Sequence, residues 1–229
     1  MILNIETSSK ICSVALENAG DLIFHTESDS SMQHSRLLAP YVDEAIKTLE
    51  RRNESLDAVA VSIGPGSYTG LRIGLSLAKG LCFSMNIPLI CVSTLRILAV
   101  KAMFKNVVWT GDELLVPVID ARRDEVYTAV YNFALDELLK PTPLILDSES
   151  YSEFKDQKLI FIGNAVEKTE RIVGIKNAEY IEAEPLALDM TALSDKMFRE
   201  KKFADVAYAV PEYLKDFQAT TPKSPFNQA

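Results

Sequence analysis

The residues best placed for chemistry are the glycines and hydroxyls of Ser62-Ile-Gly-Pro-Gly-Ser-Tyr-Thr-Gly-Leu-Arg-Ile-Gly-Leu-Ser-Leu-Ala-Lys-Gly80. The apolar run Ala58-Val-Ala-Val-Ser-Ile63 reads as a buried strand and feeds into Gly64, Pro65 and Gly66. A helix is expected to open near Ser67 or Thr69, whose hydroxyls can cap free backbone N–H groups. Glycines in such a turn permit positive φ and a close approach of another backbone. A strand, a glycine loop and a helix N-terminus together are also a way to cradle phosphate. The P-loop, however, needs Lys and Ser/Thr directly after its last loop glycine, and here Leu71 and Arg72 follow Gly70. The loop is therefore read as structural: Gly64, Pro65, Gly66, Ser67 and Thr69 shape a turn rather than a phosphate site.

The helix that follows has a stripe nearly free of side chains, because Gly70, Gly74 and Ala78 recur every four residues. Small residues at that spacing let a second backbone come close, a geometry best known from membranes but valid in water. Leu71, Leu75 and Cys82 flank the stripe, while Arg72, Ser76 and Lys79 form a polar side. Two readings follow, packing inside the domain or docking of a partner helix. The partner is the expectation taken here, because Leu71, Leu75 and Cys82 already supply a core face. The preceding helical pattern, Ser35–Leu49, would share that surface through Leu37, Leu38, Tyr41 and Ala45. Pro40 lies within it and implies a kink or the end of a first turn.

The elements that must hold this loop read as a repeated design. Ile2–Glu6, Cys12–Leu16 and Leu22–His25 are three strands, followed by alternating helices and strands, which implies a mainly parallel sheet. Ile2-Leu-Asn-Ile-Glu-Thr-Ser-Ser-Lys-Ile-Cys-Ser-Val-Ala-Leu16 is echoed by Val116-Pro-Val-Ile-Asp-Ala-Arg-Arg-Asp-Glu-Val-Tyr-Thr-Ala-Val130. Each is an apolar strand ending in a carboxylate, Glu6 or Asp120, then a polar turn and a second strand. The echo predicts two related subdomains, 1–104 and 105–218, with a disordered tail at 219–229. In the second half, Leu159–Ile162 runs into Gly163-Asn164 and Leu186–Arg199 looks helical.

The 229 residues carry a net charge of −8, which argues against nucleic acid held on this chain's surface alone. The basic groups Arg51-Arg52, Arg122-Arg123 and Lys201-Lys202 are short pairs among acids, so weak binding to RNA is expected. Cys12, Cys82 and Cys91 lack paired metal spacing and read as buried thiols of a reducing compartment. The start Met1-Ile-Leu-Asn-Ile5 runs into Glu6 without a basic flank, so it is a strand rather than a signal peptide. No apolar run reaches the ~18 to 20 residues of a membrane span. A cytoplasmic protein without a membrane association is expected.

Five segments together resemble the TsaB (YeaZ) family: Ile2-Leu-Asn-Ile-Glu-Thr-Ser8, His34-Ser-Arg-Leu-Leu38, Gly64-Pro-Gly-Ser-Tyr-Thr-Gly-Leu-Arg-Ile-Gly74, Ala78-Lys-Gly80 and Ile119-Asp-Ala-Arg-Arg-Asp-Glu-Val-Tyr127. The match is specific to about Tyr131 and weaker beyond it. The resemblance implies an α/β architecture of the actin-like, Hsp70-like and sugar-kinase-like kind, two related subdomains each built on a mixed five-stranded sheet flanked by helices. It also implies a non-catalytic part in making threonylcarbamoyladenosine, the base beside the anticodon of tRNAs that read A-starting codons. The implied partners are a catalytic TsaD-like paralogue and a TsaE-like ATPase, with a homodimer possible in isolation and tRNA met only indirectly.

What the resemblance implies about residues can be set against the chain. The paralogue's metal site resembles two histidines at i and i+4 on one helix face, whereas His34 is followed at that spacing by Leu38 and the other histidine is His25 on a strand. No metal site and no cofactor are expected. Phosphate chemistry in this superfold resembles a carboxylate-tipped hairpin in each subdomain. Glu6, Thr7, Ser8 and Asp120 stand at those positions as remnants, with Glu6 where relatives usually carry Asp and a Thr7–Lys10 turn that lacks glycine. A small-molecule kinase or ATPase of the same superfold is the alternative, and a metallopeptidase stands third. No Ser-His-Asp or Cys-His pairing is readable.

Overall fold

The computed structural model describes residues 1–28, 33–105 and 110–215. Its first sheet contains β1 (Ile2–Glu6), β2 (Cys12–Asn18), β3 (Asp21–Ser28), β4 (Ala58–Gly64) and β5 (Leu89–Ser93) in the order β3-β2-β1-β4-β5. The second contains β6 (Leu114–Asp120), β7 (Glu125–Tyr131), β8 (Glu137–Ile145), β9 (Leu159–Gly163) and β10 (Ala178–Glu182) in the order β10-β9-β6-β7-β8. Read from the other edge, the second order is the first one repeated. Pairing repeats as well: β1 is antiparallel to β2 and parallel to β4, as β6 is to β7 and β9. The echo read from Ile2–Leu16 and Val116–Val130 is this pair of hairpins. The architecture is the expected one, two mixed five-stranded sheets with helices.

The central strands are apolar on both faces because both are covered. On the outer face of sheet one, α1 (His34–Arg52) and α2 (Tyr68–Met85) bury Leu38, Val42, Ala45, Leu75, Ala78 and Cys82 against Leu3, Ile5, Val59 and Val61. Pro40 lies on the exposed side of α1, which runs unbroken past it. On the inner face, α3 (Thr94–Met103) packs Ile97 and Val100 against Ile2, Ala60 and Ile90, and turns Leu95, Leu98 and Ala99 toward Leu115, Ile119 and Ile160 of sheet two. A helix apolar all round is one buried between two partners. Through α3 the two sheets share one packed interior.

The chain does not divide at 104/105 as the sequence suggested. A 3₁₀ turn at Ala187–Met190 and α5 (Thr191–Arg199) return to sheet one, where Met190 and Leu193 join Ile90 and Val92, and the Ala187 N–H donates to Ser13 Oγ at 2.9 Å. The helix read at Leu186–Arg199 is thus split, because the Asp189 carboxylate accepts from the Leu186 N–H at 3.0 Å and tightens the first turn. Beyond it a strap runs over sheet one and α2: the Ala204 N–H donates to Leu89 O at 2.8 Å, and that of Glu212 to Ile63 O at 2.7 Å. Lys79 holds the strap by donating to Ala207 O at 3.0 Å and Ala209 O at 3.1 Å. The inner face of sheet one needs apolar cover that the first half of the chain does not supply beyond α3. The expected disordered tail at 219–229 lies outside the described residues. Among the described residues no helix is long and apolar enough to cross a membrane.

Candidate functional site

The glycine loop is filled by the chain's own first hairpin. Ser67 caps α2, its Oγ accepting from the Gly70 N–H at 3.2 Å, and its own N–H donates to Ser8 O at 2.6 Å. Thr7 Oγ1 donates to Gly70 O at 2.8 Å. A Cβ built on Gly66 would run into Ser8 O, one on Gly70 into Thr7 O, and one on Gly74 into Thr7 Oγ1. The stripe was thus correctly read as a close-approach surface, but what approaches is the β1–β2 turn, 63 residues back in the chain from Gly70. Gly64 has φ +119° and lies against the strap, where a Cβ would meet Glu212 O at 2.8 Å. Pro65 is buried beside it and Thr69 points outward in the first turn of α2.

This overturns most of the predicted partner face. Leu38, Ala45, Gly70, Leu71, Gly74, Leu75 and Ala78 are buried within the chain, facing sheet one and the Thr7 turn. Leu37 and Tyr41 alone of that set reach solvent, each partly. The outward apolar positions of α2 are Ile73, Leu77 and Leu81, half-buried, with Tyr68 and Phe83 exposed. The spacing of Ile73, Leu77 and Leu81, again every four residues, was the signal that a second apolar stripe runs beside the glycines.

Glu6 ends β1 inside the protein, with no exposed surface. Its Oε1 accepts from the Ser8 N–H at 2.5 Å, and its Oε2 has no hydrogen-bond partner. Burial pushes its carboxyl up to about 7, opposed by the Ser8 and Ser62 hydroxyls close by. The hydroxyls of Ser8 and Ser62 beside it are also buried without a partner, as are the Thr94 hydroxyl and both amide atoms of Asn4. Asp189, which adds to the upward push on Glu6, is bound by Lys101 at 2.8 Å.

The second hairpin ends differently. Asp120 is exposed, and its N–H donates to Asn164 Oδ1 at 2.9 Å. Lys168, in the first turn of α4 (Val166–Val173), pairs with the Asp120 carboxylate and donates to Arg123 O at 3.0 Å and Glu125 O at 2.7 Å. Lys215 pairs with Glu125. Both hairpin carboxylates are therefore committed within the chain, Glu6 by burial and Asp120 by an ammonium.

Between the two turns the cleft is almost closed. A cavity of about 10 Å³ remains, lined by Ser8, Ser9, Thr94, Leu98, Ile119, Asn164, Ala183 and Pro185. That holds one water, whereas small-molecule sites run to about 300 Å³ or more. Among the described residues no three His, Cys, Asp or Glu side chains gather as metal ligands. His34 opens α1 with Nε2 3.3 Å from Ile11 O, and His25 lies 3.4 Å from Glu27 with its pKa lowered by burial.

Residues 27–224 match the family model described as TsaD, tRNA N6-adenosine threonylcarbamoyltransferase. The chain is 31% identical over 224 residues to the tRNA threonylcarbamoyladenosine biosynthesis protein TsaB of Bacillus subtilis, covering 93% of each. It is 32% identical to the protein of the same name from Escherichia coli, covering 94% of each. The chain belongs to the TsaB family. Among solved structures, YeaZ from Pseudomonas aeruginosa superposes with a TM-score of 0.74 at 27% identity, covering 93% of this chain and 99% of that one. For a TsaB-family chain the docked Thr7–Ser8 turn gives a physical account of the glycines: they are the seat of the first hairpin.

Proposed function

We propose that this TsaB-family chain is a non-catalytic accessory subunit in tRNA threonylcarbamoyladenosine biosynthesis, working by pairing with a TsaD-like transferase. The observation that carries the reading is the occupation of the glycine loop by Thr7 and Ser8. The residues that could approach a phosphate are spent on the fold, and the cleft behind them has room for about one water. A kinase or ATPase of the same superfold would need that cleft open. On this reading the isolated chain neither turns over ATP nor cleaves peptides, and it meets tRNA only through the assembly.

The docking face is the outward side of α1 and α2, which pack alongside one another: Leu37, Tyr41, Ile73, Leu77 and Leu81, with Phe83, 84% exposed, at one end. Five of these side chains are half-buried against the core and Phe83 is exposed, so the face offers apolar surface along the helix pair to a partner. A TsaE-like ATPase acts on the pair, and a second copy of the chain takes the same face when the partner is missing.

The test is co-purification of this chain with the TsaD-like protein of the same cell, followed by tRNA modification with and without it. Modification that needs this chain, and that a Leu77→Glu plus Phe83→Glu variant abolishes with its melting temperature intact, is the expected result. Full modification by the transferase without this chain would overturn the accessory role. ATP turnover by the isolated chain at about 1 s⁻¹ or more, lost in Glu6→Ala plus Asp120→Ala, would overturn the non-catalytic one.

A further inference from the structure

The second hairpin presents an anomaly that neither the fold nor the docking face uses. Arg122 and Arg123, at its tip, have φ of +70° and +51°. The left-handed region is disfavoured for residues with a Cβ, and a hairpin tip that needs two such residues in succession ordinarily takes Asn-Gly or Asp-Gly. Strain of this kind persists where surrounding contacts impose it and where the side chain is wanted for something. Here Lys168 imposes it, fastening Arg123 O, Glu125 O and the Asp120 carboxylate from below. Both arginines are exposed, and neither meets a carboxylate among the described residues.

The charge around the tip is unusual for this chain. Asp120 is neutralised by Lys168 and Glu125 by Lys215, so the turn and its two lysines carry four cations against three carboxylates in a protein of net charge −8. Three other arginines are quenched by a carboxylate, Arg52 by Glu54, Arg96 by Glu137 and Arg199 by Asp195, while Arg51 donates to Thr48 and Arg72 to Tyr213. Two guanidinia on a stiff turn, neither of them paired with a carboxylate although Asp124 follows in the chain, suit bidentate contact with phosphate oxygens.

We propose that Arg122 and Arg123 form a backbone-phosphate contact for the tRNA held by the assembled transferase. The inference rests on the accessory-subunit reading above and adds the surface by which this chain meets the substrate. Two phosphate contacts are too few to hold tRNA to an acidic chain alone, and they act once a partner supplies the rest of the binding surface. Contacts of this kind position RNA without reading sequence.

The decisive variant is Arg122→Asn plus Arg123→Gly, which gives the turn the residues its backbone prefers and removes both charges. It is studied in the complex with the TsaD-like transferase, with an unmodified transcript of a tRNA reading an A-starting codon as the probe. Expected are an unchanged or raised melting temperature, unchanged subunit association, about tenfold weaker tRNA binding, and a log–log salt slope flatter by about one to two. Arg122→Lys plus Arg123→Lys keeps most of that slope. Unaltered affinity and slope in a complex that assembles and modifies tRNA would overturn the proposal. So would lost affinity that merely follows lost stability, since the arginines would then be structural. A wild-type pair that neither associates nor modifies tRNA would instead defeat the accessory-subunit reading, and this proposal with it.

Discussion

The two hairpin turns occupy equivalent places in a duplicated fold and have opposite fates. The first, Glu6–Ser8, is sunk into the protein and gripped by the glycines of α2. The second, Asp120–Glu125, stays at the surface and is gripped by one lysine from α4. The grip comes from the same place in both subdomains: the loop and helix that follow the parallel strand, Gly64 onward after β4 and Gly163 onward after β9. Glycine at that helix start allows the turn to sink until backbone meets backbone. A lysine holds the turn off by the length of its side chain and leaves the tip in water. The same hairpin can thus be held in one fold by burying its carboxylate or by pairing it with an ammonium.

The largest effect is expected from breaking the first grip. Gly70→Ala places a methyl against Thr7 O, a backbone atom that moves only with its strand. Overpacking of that sort costs about 1 to 3 kcal/mol, and this clash with fixed backbone belongs at the upper end. Urea unfolding of the monomer should show it. Gly74→Ala meets Thr7 Oγ1 instead, so Thr7→Ala in the same chain should recover part of the loss. A double-mutant cycle with no coupling between positions 7 and 74 would mean that the turn is not held this way.

How far the sequence showed this arrangement depends on the range of the contact. Strand and turn chemistry is local, so the echo between Ile2–Leu16 and Val116–Val130, the Ser67 cap and the helix over 35–49 were all legible. The stripe Gly70, Gly74 and Ala78 announced a close neighbour without naming it, because Thr7 carries no mark of facing a glycine 63 residues away. Leu71, Leu75 and Cys82 do supply a core face, but burial extends on to Gly70, Gly74 and Ala78, so the glycines are not left for a partner. β8 went unread because Pro141 and Pro143 argue against a strand, and they are tolerated there since β8 is an edge. The strap across α2 was illegible for the same reason as Thr7: its contacts join residues far apart in the chain, Glu212 to Ile63, Ala204 to Leu89 and Lys79 to Ala207 and Ala209.

An effect of comparable size, but dependent on pH, should follow from Glu6→Gln. The buried carboxyl titrates at about 7 instead of 4.5, because burial disfavours its charged form. Between those values the folded protein keeps a proton that the unfolded chain releases, so stability falls as pH rises through the window. By pH 8 the loss approaches about 3 kcal/mol, at 1.36 kcal/mol per pKa unit. Glutamine keeps the acceptor for the Ser8 N–H and carries no charge. The variant should therefore melt higher than the parent at pH 8, with the gap closing near pH 5. A gap of equal size at both values would mean that Glu6 is not buried as a titrating group.

Breaking the second grip should matter less. Lys168→Met removes two hydrogen bonds to turn carbonyls and the partner of an exposed carboxylate, groups that water can reach once the ammonium is gone. Net losses for such bonds are about 1 kcal/mol. Amide exchange should accelerate at residues 122–125 while the protection of β1 and α2 is unchanged. A loss as large as that of Gly70→Ala would erase the contrast between a buried and a surface turn.

The smallest effect has the opposite sign and comes from the same helix as the largest. Gly80 lies on the exposed side of α2, and a Cβ there meets nothing within 4 Å. Its backbone is helical, so Gly80→Ala removes only the flexibility that glycine grants the unfolded chain and should stabilise the isolated protein by up to about 1 kcal/mol. Gly70 and Gly80 share a helix and a residue type and differ in what stands opposite them. If alanine destabilises at both positions, α2 itself is intolerant and Thr7 is not the cause. If it stabilises at Gly80 and unfolds at Gly70, the penalty belongs to the docked turn, and the glycine loop of this chain is explained by the hairpin it receives.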